Sequence, residues 1–198
     1  MPVNPVPDDA LLTARMDLER GCFRGAPARV ILLSEMRGYF ADQAACNEAR
    51  ARGDQAVYQV SWLEPGSGAG DLHYGLGRIS PGRVGREYFM TKGHLHAWRP
   101  AAEVYIGLQG RGCLLLEDET TGQGRILPLD HGCMAYVPAG TAHRTMNTGE
   151  EPLLYLGVYP AAAGHDYGAI ATRNFLHVVV ERGGEPVMIE RAAFLKGA

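Results

Sequence analysis

The chain lacks an excess of positive charge. Lys and Arg number 19 against 22 Asp and Glu, a formal net charge of −3, so the basic footprint of a nucleic-acid binder is missing. Long apolar runs are missing too. A stretch such as Leu153 to Tyr159 falls far short of the roughly 20 residues that cross a bilayer as a helix, and no membrane partner is expected. The first residues, Met1-Pro2-Val3-Asn4-Pro5-Val6-Pro7, contain neither the basic nor the apolar region of a secretory signal. Cysteine is sparse, and Cys22, Cys46, Cys113 and Cys133 form no C-x-x-C pair and no dense framework. Reduced, mostly buried thiols in a cytoplasmic protein are the expectation. No internal repeat, collagen period or low-complexity tract is present.

Glycine and proline, by contrast, are abundant, at 26 and 12 of 198 residues. They lie scattered between short apolar runs, as turns do in a many-stranded β protein. The length suits one domain with an extension.

Residues 1 to about 13 read as a loose, Pro-rich arm, and Ala14 to Ile31 as a hairpin-like extension broken by Gly21 and Gly25. Ser34 to Arg52 is the best helical candidate, with Asp42 capping a helix from Gln43 to Arg52 and Gly53 ending it. After Gly53 the pattern changes to strands, at Val57–Leu63, Leu72–Ile79, Glu87–Thr91, Glu103–Leu108, Gly112–Glu117, Gly124–Pro128, Met134–Val137, Leu153–Tyr159 and Phe175–Glu181. This spacing predicts a sandwich or barrel. The expected organisation is an extension over residues 1–53 with one or two short helices, a barrel over 54–190, and a tail over 191–198. Sequence leaves the stretch from Met188 onward as either a short helix or coil.

The chemistry concentrates in Thr91-Lys92-Gly93-His94-Leu95-His96, then Glu103-Val104-Tyr105, and later His143. Alternation on a strand puts His94 and His96 on one side. The odd spacing to Glu103 recovers that side only if Trp98-Arg99-Pro100 turns. In the next strand, Glu103, Tyr105 and Gly107 read as a pocket side, and Val104, Ile106 and Leu108 as a core side. The string Gly132-x5-Pro138-x-Gly140-x2-His143-x3-Asn147 places His143 at the start of a further strand after a Pro-Gly turn. Three imidazoles and one carboxylate form a mixed N/O set with open positions, suited to iron, manganese, nickel or zinc.

These two strings resemble the paired motifs of the cupin superfamily, which implies an all-β jelly-roll barrel with a metal inside. The second motif matches in full. The first has Tyr88 where a generic cupin has glycine, and a longer His-x-His-x6-Glu gap. That gap, with Ser34-Glu35-Met36-Arg37-Gly38-Tyr39-Phe40, Pro81-Gly82-Arg83-Val84-Gly85-Arg86-Glu87 and Gly164-His165-Asp166-Tyr167-Gly168, is similar to the cupin-type phosphoglucose isomerases known best from archaea. The similarity extends over roughly residues 14 to 190.

The resemblance implies interconversion of glucose 6-phosphate and fructose 6-phosphate, a step of glycolysis and gluconeogenesis. It implies one divalent metal per subunit, Fe(II) first, on His94, His96, Glu103 and His143. Thr91 and Gly93 would hold the phosphate with Tyr159 beside it, and Tyr58, Tyr105 and His165 would line the sugar site. Glu103, with His165 and Tyr159, would form the catalytic group. Either Glu103 carries a proton between C2 and C1 through a metal-stabilised enediolate, or hydride shifts directly. A homodimer using the Ala14–Ile31 strands is expected by the same analogy.

Gly77 departs from the family, which often has a hydroxyl-bearing strand near the phosphate, and Arg78 should point outward by alternation. Another metal-dependent cupin enzyme (a dioxygenase or a related phosphosugar isomerase) and a non-catalytic sugar-phosphate sensor stand as alternatives. His73, His131 and His177 have no partner at metal-ligand spacing and read as surface or loop residues, Arg173, Arg182 and Arg191 as solvated surface, and Trp62 and Trp98 as packing or dimer contacts.

Overall fold

The computed structural model describes residues 13–197. The expected Pro-rich arm therefore lies, but for Thr13, outside the described residues. A small hairpin comes first, β1 (Met16–Asp17) with β2 (Cys22–Phe23), then β3 (Ala28–Leu32), a 3-10 turn at Leu33–Met36, and helix α1 (Gln43–Arg52). Strands β4 (Ala56–Leu63), β5 (Leu72–Ile79), β6 (Arg83–Val84) and β7 (Glu87–Tyr88) follow. Next are β8 (Glu103–Gln109), β9 (Gly112–Asp118), β10 (Gly124–Pro128), β11 (Met134–Val137), β12 (Thr141–Asn147) and β13 (Leu153–Pro160). The chain ends with α2 (Gly168–Arg173), β14 (His177–Arg182), β15 (Glu185–Glu190) and α3 (Arg191–Lys196).

Local chemistry accounts for the one long helix. Asp42 accepts from the Ala45 N–H at 2.9 Å, which satisfies a donor the helix leaves open, and Gly53, at φ 149°, closes the other end with its N–H on the Arg50 carbonyl. The buried carboxylate of Glu87 takes the N–H groups of Ala41 and Asp42 at 2.7–3.0 Å, which fastens the helix start to β7.

Every strand pairing among the described residues is antiparallel. One sheet runs β11-β8-β13-β5-β4-β3 and another β10-β9-β12, so the chain from β8 to β13 passes repeatedly between the two, as in a jelly roll. The extension joins the larger sheet directly through β3 on β4. Between the layers lies the core, with Leu114, Leu116, Ile79, Val137, Phe40, Phe89 and Met146 all buried.

Several expectations need correction. The strand expected over Glu87–Thr91 stops at Tyr88, because Met90 makes only an isolated bridge to Met146 and the chain then bends at Gly93, φ 73°. The strand expected from Phe175 starts at His177: Asn174, at φ 58°, turns the chain, and the N–H groups of Leu176 and His177 go to the Glu117 carboxylate. That carboxylate also accepts from His177 Nδ1 at 2.9 Å, which holds His177 half-buried at the start of β14 rather than on the surface or in a loop. His73 lies half-buried on β5 rather than in a surface loop, and there it contacts the Gly66 carbonyl at 2.7 Å and meets the Tyr159 ring edge-on. His131 is exposed in a turn, as expected, with Nδ1 2.6 Å from the Leu108 carbonyl. Half-buried Arg191 donates to the Phe40 carbonyl. The tail from Met188 is strand to Glu190 and then helix, because Gly183 and Gly184, both at positive φ, close a tight hairpin that pairs β15 with β14. Cys46 and Cys113 are buried while Cys22 and Cys133 are half-buried, and all four are free.

The two faces of β8 also differ from expectation. Glu103, Tyr105 and Gly107 are buried, whereas Val104, Ile106 and Leu108 are only partly covered. Tyr136 and Met134 stand opposite Val104 and Ile106 on β11 and are 60% and 72% exposed. The apolar set is thus the outside of the larger sheet, and the core lies on the same side as the pocket.

Candidate active site

Two chain segments meet across the sandwich. β8 supplies Glu103 from the larger sheet, and β12 supplies His143 from the smaller one. His94 lies in a bridge with His143, each N–H on the other's carbonyl at 3.1 and 3.0 Å, rather than in a regular strand. His96 follows on the same side, and Ala101 N–H on the Trp98 carbonyl closes the turn expected around Pro100.

His94, His96, Glu103 and His143 present one donor atom each, all within 4.8 Å of one another. His96 Nδ1 lies 3.2 Å from the Ala101 carbonyl and His143 Nδ1 lies 3.1 Å from the Thr141 carbonyl. A carbonyl only accepts, so these contacts put the proton on Nδ1 and leave a lone pair on each Nε2. Both Nε2 atoms face Glu103 Oε2, at 3.2 Å and 3.1 Å, which also has only lone pairs to offer when ionised. Nε2 of His94 and of His143 are buried with no hydrogen-bond partner. A buried set of converging lone pairs needs a cation among them, so the residues fit a divalent metal.

Burial acts to raise the Glu103 pKa; hydrogen bonds and charge from His143 and His96, when these carry a proton on Nε2, hold it down to about 2. A cation in the cluster fills the same role when both Nε2 atoms carry lone pairs. The carboxylate is therefore ionised at neutral pH. Its other oxygen, Oε1, rests against Gly157 on β13, where a Cβ would come within 2.5 Å of it. Glycine is required there for the carboxylate to fit. Gly157→Ala is expected to weaken divalent-metal binding about tenfold or more by displacing this oxygen; titration of the chelated protein with Mn(II) measures it.

The cluster opens into a pocket of about 80 Å³ lined by Thr91, Gly93, Tyr105, Tyr155, Tyr159 and His165 among others. Thr91 Oγ accepts from the Thr145 N–H at 3.2 Å, so its own O–H is left to donate. His165 stacks on Tyr167 and sits 4.5 Å from His94, ring to ring. Burial and the neighbouring His96 and His143 keep His165 below the usual histidine range, so it is neutral near pH 7. Burial pushes the phenols of Tyr58 and Tyr105 up and that of Tyr159 to about 12, so all three are neutral hydroxyls. Outward of the pocket a cleft of about 500 Å³ is lined by Arg29, Trp62, Glu64, Lys92 and Tyr167. Trp62 is thus a cleft residue rather than packing alone.

Gly77 has a structural reason. It pairs with Tyr155 across β5 and β13, and a Cβ there would come 2.2 Å from Tyr155 Cζ and 2.5 Å from its hydroxyl. A phenol on β13 fills the space that a side chain on β5 would take. Arg78 points the other way, its stem under Gly21 of the first hairpin. Sequence reasoning assigned no role to Gly157, Lys92 or Tyr167, and read Tyr155 only as inner-face packing. A glycine at an inward position of an otherwise apolar strand was the available signal for Gly157.

A jelly roll with a three-histidine, one-carboxylate cluster between its sheets and an adjoining polar pocket is the arrangement of a cupin. Residues 32–192 match the family model described as "Glucose-6-phosphate isomerase (GPI)". The glucose-6-phosphate isomerase of Pyrococcus horikoshii is 45% identical over 90% of this chain and 94% of its own. That of Pyrococcus abyssi is 42% identical over 90% and 94%, and that of Sinorhizobium medicae 38% identical over 86% and 80%. Among solved structures, an oxalate oxidase aligns with a TM-score of 0.48 at 14% identity, over 58% of this chain and 56% of that one. The chain belongs to the glucose-6-phosphate isomerase family.

Proposed function

We propose that the chain interconverts glucose 6-phosphate and fructose 6-phosphate by a metal-dependent aldose–ketose isomerisation. The observation that carries this is the convergence of unpartnered imidazole nitrogens and an ionised carboxylate in a pocket whose lining includes Thr91 and Gly93. A divalent ion held by His94, His96, Glu103 and His143, Fe(II) in this reading with Mn, Ni or Zn as substitutes, supplies Lewis acidity that makes the C2 proton of the sugar easier to remove.

The remaining work falls to the chain's own groups. Thr91 O–H and Gly93 N–H bind the phosphate, with the Tyr159 hydroxyl beside it. Tyr58, Tyr105 and neutral His165 hydrogen-bond the sugar hydroxyls, and the aromatic walls exclude water. Glu103, through Oε1 on the pocket floor, takes the proton from C2 and returns it to C1. Tyr155 supplies a hydroxyl where Gly77 has none.

One observation favours a second route. A carboxylate that would hold a metal together with three imidazoles is a weak base, and a direct hydride shift from C2 to C1 needs no base at carbon. Isomerisation in D2O bears on the two: deuterium at C1 of the fructose 6-phosphate formed shows proton transfer through a group that exchanges with solvent, which a hydride shift does not allow. Oxygen consumption in place of isomerisation would instead make the chain a dioxygenase.

A homodimer belongs to the same reading. Met16, Leu18 and Val30 are each 40% or more exposed and give the Ala14–Ile31 segment an apolar surface for a second copy. Sedimentation at micromolar concentration tests it.

A further inference from the structure

Arg144 is 2% exposed, yet it lies on β12 beside His143 and has no acidic partner in a salt bridge among the described residues. An unpaired buried guanidinium is costly, so its hydrogen bonds are informative. Nη2 donates to the Lys92 carbonyl at 2.7 Å and Nε reaches the same oxygen at 3.3 Å, a two-pronged grip on one backbone group. Nη2 also donates to Asn174 Oδ1 at 3.2 Å, and the guanidinium stacks over the Phe175 ring at 4.4 Å. Burial lowers the Arg144 pKa to about 10, which leaves it charged at neutral pH.

The gripped peptide is the one that ends at Gly93. In a trans peptide the C=O and the following N–H point in opposite directions. With the Lys92 carbonyl held on Arg144, the Gly93 N–H points away from Arg144, and Gly93 lines the pocket. Backbone bonds frame this peptide on both sides: Thr91 N–H donates to the Thr145 carbonyl and His94 N–H to the His143 carbonyl. Gly93 cannot shift sideways, since even a Cβ would come within 2.7 Å of Phe175 and 2.9 Å of the His143 carbonyl. No protein acceptor takes the Gly93 N–H among the described residues.

We propose that Arg144 is a positioning residue for anion binding: from behind the Lys92–Gly93 peptide it fixes the Gly93 N–H towards the pocket and polarises it, so that the substrate phosphate is bound with the help of a cation it never touches. This rests on the reading above that Thr91 and Gly93 take the phosphate. Three consecutive residues of β12 then have separate duties, His143 at the cluster, Arg144 behind the anion corner, and Thr145 on the Thr91 hydroxyl.

The test compares Arg144→Gln, Arg144→Lys and Thr91→Val with the unaltered chain, using inorganic phosphate, unphosphorylated fructose and Mn(II) as separate probes. Arg144→Gln is expected to weaken inorganic phosphate, and to raise KM for fructose 6-phosphate, by roughly 10- to 100-fold together. Mn(II) and fructose affinities are expected to stay within about twofold. Arg144→Lys, which keeps the charge and one donor, should fall between, and it serves if the Gln variant does not fold. Unchanged phosphate affinity in a folded Arg144 variant overturns the proposal. So does a parallel loss of phosphate, fructose and Mn(II) binding, which is what a purely structural role produces. If Thr91→Val weakens phosphate and the Arg144 variants do not, the role of Arg144 alone fails. If none of the three alters phosphate binding, the placement of the phosphate at Thr91 and Gly93 fails with it.

Discussion

Glu103→Gln is expected to lower kcat by about 10²- to 10⁴-fold at saturating metal, the range that positioned acid–base groups contribute. The substitution keeps the shape that fits against Gly157 and removes the charge and the basic oxygen. KM for fructose 6-phosphate should change little, because Thr91 and Gly93 are untouched. Steady-state kinetics with metal content measured on the same samples checks this. A kcat within about threefold of the unaltered chain would remove Glu103 from the chemical step.

His143→Ala has the second large effect expected. Its Nε2 is one of two buried and unpartnered imidazole nitrogens in the cluster, and its ring lies 4.2 Å from that of His94 and 5.2 Å from that of His96. Deleting it removes one of four donors and opens a gap between the sheets. Divalent-metal affinity should fall by about 100-fold or more, beyond the 10- to 100-fold typical of losing a group that only orients a ligand. Activity should be lost at ordinary metal concentration and partly regained in excess metal. Mn(II) binding followed alongside activity checks it, and an active variant with no bound metal would contradict the account.

Much of this was legible before any coordinates. The Asp42 and Gly53 signals bracketed α1 because helix caps are local chemistry, and glycine and proline spacing marked most strands for the same reason. The convergence of His94, His96, Glu103 and His143 was legible because His94 and His96 share a side and Pro138 with Gly140 turns the chain into β12. The errors concern contacts distant in sequence. Glu117 meets Leu176 and His177 about 60 residues away, and that pairing, not local propensity, sets where β14 begins. The faces of β8 were misread because alternation shows that two faces differ, while the other layer decides which one is inside. Here the inside face holds the glutamate and tyrosine, and the apolar face looks outward. The fit of Tyr155 over Gly77, and of Glu103 over Gly157, depends on strand register, which one sequence does not display. Arg144 read as nothing more than part of a motif until its carbonyl partner 52 residues earlier was visible.

The central claim is that the four-residue cluster holds a metal required for isomerising a hexose 6-phosphate. Its most direct test is conversion of fructose 6-phosphate to glucose 6-phosphate by chelated protein, with Fe(II), Mn(II), Ni(II) or Zn(II) added back singly. No conversion in the chelated protein and recovery with at least one metal, Fe(II) foremost, is the result expected. Full conversion by verified metal-free protein, or none with any of the four metals, would contradict it.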